Sequence, residues 1–148
     1  MIEDTTLLKL NGQSLWFPTA ISKVAALAAL PESWDGRGSR KIQPAAIENM
    51  LQVLLAVDAE TVPAPHISPI SGGALQVEWS YKDHDLEIVT RSDGSVEYLK
   101  TQADDGDNMQ DGSLSVDDKA GMRDLIRQTS FREASVTSAP RQWRAKLK

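Results

Sequence analysis

The sequence predicts an α+β fold: a two-layer domain with two helices packed on an antiparallel meander of three strands, with room for a fourth. An acidic linker and a basic C-terminal tail follow it. Three observations lead there. Residues 44–60 place apolar side chains at helical spacing, residues 74–100 hold three runs of period-two alternation, and the charge changes character twice after residue 100. A meander with one apolar face must be covered, and the stripe of helix 44–60 is the available cover.

Leu7, Leu8 and Leu10 precede an Asn11-Gly12 turn signal and then Leu15, Trp16 and Phe17, which reads as a small hairpin or the start of a helix. From Pro18 the pattern is helical, with Thr19 as the expected cap, Ile21, Val24, Ala25 and Ala28 at helical spacing, and Pro31 closing the stretch. Pro44 suits the first turn of a second helix, where its missing N–H has no partner to lose. Ile47, Met50, Leu51, Leu54 and Val57 form the stripe of that helix, and Glu48, Asn49 and Gln52 lie off it. The segment P-A-P-H-I-S-P then forbids a helix interior and leads the chain across in extended form.

After Gly72-Gly73 come the runs Ala74–Tyr81, Leu86–Arg91 and Ser95–Lys100, joined through Lys82–Asp85 and Ser92-Asp93-Gly94. Leu75, Val77, Trp79 and Tyr81 share a face with Leu86, Ile88, Val96 and Tyr98. The other face shows Gln76, Glu78, Ser80, Glu87, Arg91 and Glu97, and meets water or a partner. Ser115 with Asp118 three residues on gives a helix start resembling a capping box, followed by Met122, Leu125 and Ile126. The expected organisation is a domain over 1–100, a flexible acidic linker over 101–118, and a short helix plus basic tail over 119–148.

Composition bounds the function. The 148 residues carry 16 Lys+Arg and 21 Asp+Glu, a net charge of −5. Residues 1–100 hold 8 bases and 13 acids, 101–118 hold 6 acids and no base, and 119–148 hold 8 bases and 2 acids. The acidic body disfavours nucleic acid, which only the tail could contact. No apolar stretch approaches the roughly 18 residues that would span a bilayer. The acidic start M-I-E-D is no secretory signal, so cytoplasmic residence is the expectation. The absence of cysteine excludes disulfides, thiolate metal sites and thiol chemistry.

Few motifs suggest chemistry. Trp34-Asp35-Gly36-Arg37-Gly38 reads first as structure: Asp35 bonding nearby N–H groups, glycines allowing positive φ, and Trp34 plugging the end of the core. Its functional reading is a loop site of Trp34, Asp35 and Arg37. Asp107, Asp111, Gly112 and Asp118 imitate a calcium loop that fails at Met109, so no metal is expected. His66 sits between prolines and His84 between Asp83 and Asp85, with no nucleophile marked beside either. Catalytic residues and cofactors are therefore not assigned.

Leu30 to Gly38 reads L-P-E-S-W-D-G-R-G, and a Pro-started helix, the P-A-P-H-I-S-P crossing and a G-G-A-L-Q-V-E-W strand follow. This arrangement resembles a group of small uncharacterised bacterial and mobile-element proteins with a W-D-G loop and an E-W strand. It covers about residues 24–100. The resemblance implies an α+β fold and no established reaction, so it carries over no catalytic residue. Gly38-Ser39-Arg40 departs from the pattern toward a more basic loop.

The resulting expectation is a non-catalytic protein-binding module, antitoxin-like or an accessory subunit. Its basic-aromatic arm, Arg141, Trp143, Arg144 and Lys146, would capture a partner with Trp143 as anchor and Arg141 and Arg144 as its charged frame, residue types that dominate interface energetics. The alternative is an acidic inhibitor that imitates nucleic acid through Glu78, Glu87, Glu97 and the 104–118 run against a basic enzyme. A small hydrolase built on Asp83, His84 and Asp85 ranks third. A homo-oligomer paired through the polar sheet face remains open.

Overall fold

The computed structural model describes residues 14–59, 61–81, 84–102 and 108–128. Three helices, α1 (Phe17–Ala28), α2 (Pro44–Val57) and α3 (Lys119–Gln128), accompany five strands, β1 (His66–Ile70), β2 (Ala74–Tyr81), β3 (His84–Thr90), β4 (Val96–Gln102) and β5 (Asn108–Leu114). The strands pair antiparallel in chain order, so the sheet is a five-stranded meander.

Helix α1 begins one residue before Pro18, with Trp16 rather than Thr19 at the cap position. Trp16 makes no side-chain cap bond there; its carbonyl accepts from Ala20 N at 2.9 Å. Ala20, Val24 and Leu27 are its buried residues, one face of a 3.6-residue repeat. In α2 the expected stripe is buried at Met50, Leu54 and Val57, with Ala46, Val53 and Ala56 beside them. The helix stops at Val57, three residues short of the expected end. Asp58 turns extended (φ −71°, ψ 105°), and its Oδ1 accepts from Ser14 N at 2.9 Å and Ser14 Oγ at 2.7 Å.

Helix α2 packs on β2 and β3, α1 on β1, and α3 on α2. The inner sheet face carries the buried Ile67, Leu75, Val77, Trp79, Leu86, Ile88 and Val96, as the alternation requires. Thr90 is the one polar residue among the fully buried large side chains, and its hydroxyl donates to the Ala46 carbonyl at 2.8 Å. That bond satisfies a group whose burial would otherwise cost roughly 1–3 kcal/mol. Two indoles hold the crossing after α2: Trp16 Nε1 donates to Val62 O at 2.8 Å and Trp79 Nε1 to Pro63 O at 2.9 Å.

The structure corrects the expected sheet at both edges. His66–Ile70 is a strand, not only an extended crossing, and its Pro69 is tolerated because an edge strand has ladder positions without a donor to lose. The segment expected as an acidic linker supplies the last residues of β4 and the whole of β5. Backbone pairing from Val96↔Leu114 to Gln102↔Asn108 holds β5, and the Tyr98 ring lies over Gly112. A β-carbon at Gly112 would stand 2.9 Å from Tyr98 Cε1, so only glycine lets the ring settle there.

Described elements of the domain also extend past residue 100, as far as Gln128. Asp118, not Ser115, caps α3: its Oδ1 accepts from Gly121 N at 2.9 Å. Met122, Leu125 and Ile126 are buried, and Arg123 Nε donates to Ala56 O at 3.0 Å. Residues 129–148 lie outside the described residues.

The β1–β2 turn meets the start of α2, where Gln43 N donates to Gly73 O at 3.0 Å. Gly72 and Gly73 both have positive φ, 92° and 83°. Gly72 has open space around it, whereas a β-carbon on Gly73 would lie 2.8 Å from Gln43 Cγ and 3.0 Å from Lys41 O. Gly72→Ala is expected to cost about 1–2 kcal/mol from the left-handed backbone alone. Gly73→Ala is expected to cost about twice as much because backbone must also move. Urea unfolding of the two variants checks the order, and an equal cost would remove the turn–helix contact from the account.

Candidate functional site

With all three helices on one side, the outer face of the sheet has no covering layer among the described residues. Strand register assembles that face. One row runs His66, Glu78, Glu87, Leu99, Asp111; the next runs Ser68, Gln76, Val89, Glu97, Ser113. A third carries Ser80, Asp85, Thr101 and Met109. Every residue of these rows is exposed or half-buried. Val89, Leu99 and Met109 thus form an apolar strip within a field of carboxylates, and Met109 is 59% exposed.

The carboxylates crowd one another. Glu78 and Glu87 are direct cross-strand partners, an arrangement of like charges that destabilises a sheet. Partial burial raises the Glu87 carboxyl above its ordinary range, and the charges of Glu78 and Asp85 raise it further. Arg91 Nε contacts Glu97 Oε1 at 2.8 Å in an exposed ion pair, the kind worth little in water. Between β3, β4 and β5 the face sinks into an open concavity of about 440 Å³ lined by Glu87, Val89, Arg91, Glu97, Leu99 and Asp111.

The W-D-G loop is a closed structural unit. Asp35 Oδ1 accepts from Arg37 N at 2.8 Å and Ser39 N at 3.2 Å, and Oδ2 accepts from the Ser39 hydroxyl. These bonds, the Ser39 hydroxyl foremost and the Arg37 N–H after it, hold the Asp35 carboxyl below the usual carboxylate range. Gly36 and Gly38 take φ of 74° and 83°, as the loop requires. Trp34 does not plug the core: it is half-buried, and its Nε1 donates to Arg40 O at 3.1 Å within its own loop. Arg37 is exposed.

The other expected sites separate. His84 opens β3 instead of sitting in a turn, and strand alternation puts it and Asp85 on opposite faces; Asp83 lies outside the described residues. Asp111 is in β5 and Asp118 caps α3, so neither belongs to a calcium loop, and Asp107 is outside the described residues. Among the described residues no group of three or more His, Asp or Glu is placed to hold a metal ion, and no helix is long and apolar enough to cross a membrane. The arm residues Arg141, Trp143, Arg144 and Lys146 lie outside the described residues.

The sequence identifies Gln76, Glu78, Ser80, Glu87, Arg91 and Glu97 on this face but not Val89, Leu99, Met109 or Asp111. Val89 and Leu99 were detectable, each two residues from a residue already placed there. Met109 and Asp111 depend on β5. No protein-family model, curated protein or solved structure matches the chain, so its site rests on its own geometry.

A raised carboxyl means the fold favours the neutral Glu87, so stability is fully present below the ordinary glutamate pKa and declines as pH rises through the raised one. Glu87→Gln is therefore expected to raise Tm by about 1–3 °C at pH 7, the order of one relieved cross-strand repulsion. The gain should vanish near pH 4. Thermal melts of both proteins across pH 3.5–7 check this, and a gain independent of pH would assign it to packing.

Proposed function

We propose that this chain is a non-catalytic protein-binding module, antitoxin-like or an accessory subunit, whose folded body presents an acidic sheet face to a basic surface of its partner. The observation that carries the reading is the uncovered outer face, with half-buried Val89 and Leu99 among Glu78, Glu87, Glu97 and Asp111. An apolar strip ringed by charge is the anatomy of a protein interface, and its negative sign selects and steers a basic partner. The same sign repels phosphate, which sets nucleic acid aside for this face and fits an inhibitor that imitates it.

The test is affinity capture on the immobilised full chain, with the Glu78→Lys/Glu87→Lys variant beside it. Retention of a stoichiometric partner is expected to fall at least tenfold between 50 and 300 mM salt and to be lost in the variant. Capture unaffected by the variant, yet lost on replacing Arg141, Trp143 and Arg144 by alanine, would move the site to the arm.

A further inference from the structure

We propose that residues 129–148 of this chain themselves occupy the outer sheet face in the free protein, masking it until a basic partner displaces them. This regulation rests on the reading of that face as the partner site.

Charge complementarity is the first ground. The face carries the carboxylates of Glu78, Asp85, Glu87, Glu97 and Asp111, and its one arginine, Arg91, is already engaged by Glu97. Residues 129–148 carry five bases against one acid. The acidic rows and the basic segment are therefore of opposite sign and similar size, five carboxylates and one arginine against five bases and one acid. The apolar chemistry matches too, because the segment includes Phe131 and Trp143 and the face offers Val89, Leu99 and Met109.

Reach is the second ground. The described chain ends at Gln128, whose Oε1 accepts from Lys100 Nζ on β4 at 2.9 Å, one strand from the β5 edge. Twenty further residues span at most about 66–72 Å. Five strands at about 4.8 Å spacing put only about 19 Å between the outermost two. The segment therefore has ample length to round the β5 edge and cross the face.

Tethering makes weak contacts sufficient. Each exposed ion pair contributes little, but a linked segment acts at an effective concentration of about millimolar. A contact whose dissociation constant lies below that concentration is occupied at rest and open to displacement.

The experiment is zero-length carbodiimide coupling of the full chain, which joins lysine amines to carboxylates in contact, with peptide mapping of the monomer band. Lys146 and Lys148 are expected to couple to Glu78, Glu87, Glu97 or Asp111 at least fivefold more than to Glu32, Glu48 or Asp124. That preference should disappear in 0.5 M salt and in Trp143→Ala/Arg144→Ala. Equal coupling to all carboxylates would overturn the proposal, and coupling confined to the dimer band would replace it with a second copy as occupant. Face-dependent partner capture without these links would keep the partner site and remove the masking. Links without face-dependent capture would keep the intramolecular contact and remove the capture function from the face.

Discussion

The burial of one side of the meander beneath α2 is the constraint from which the other features follow. Leu75, Val77, Trp79, Leu86 and Ile88 face Met50, Val53 and Leu54 in a single buried cluster. Each such side chain contributes roughly 1.5–3 kcal/mol when taken from water. A 14-residue helix would be marginal alone, so α2 exists because the sheet accepts its stripe. The hydrophobic contact has no direction of its own. Thr90 supplies one by binding the Ala46 carbonyl, and Gly73 supplies another by accepting from Gln43 N as the chain enters the helix.

Once α2 occupies the centre of that layer, the remaining helices have few choices. Helix α1 fills the β1 side, and α3 leans on α2 with Met122, Leu125 and Ile126, its ends tied by Lys119 to Gln52 and by Gln128 to Lys100. No described helix is left for the outer face. That explains how Glu78 can stand opposite Glu87: water still reaches both, so their repulsion is partly screened, and the protein carries a modest instability there. A sheet selected for stability alone would alternate signs at that pair, as Arg91 and Glu97 do nearby.

The parts of the fold legible in the sequence are those with a strong period. Helix α2 shows itself through Met50, Leu54 and Val57, and β2 to β4 through alternation from Leu75 to Tyr98, because burial on one face leaves that imprint. Strand β5 leaves none. Its sequence N-M-Q-D-G-S-L is poor in β-formers and joins the sheet through backbone bonds and the Tyr98 ring over Gly112. A run of acids and small polar residues reads as solvated linker unless its neighbour is known. The cap of α3 is ambiguous in the sequence for a similar reason, since Ser115 and Asp118 both suit the role and only geometry decides between them. Trp34 shows the limit of arguing from residue size: an indole large enough for the core instead bonds the carbonyl six residues on.

The candidate site was half legible for the same physical reason. Alternation assigns a residue to a face, but it does not say whether another layer covers that face. Only the placement of α1, α2 and α3 together shows that no described helix covers the acidic rows. Covering them permanently would require an element able to bury charge, and an unpaired buried carboxylate costs far more than an exposed one. A layer that comes and goes avoids that cost, because water can return whenever it leaves. Carboxylates on the outer face and five bases in the last twenty residues therefore suit a reversible cover better than a third fixed layer. Under the proposed masking, a basic partner would compete with a tethered segment at about millimolar effective concentration and would need either more charge or a better fit to Val89 and Leu99.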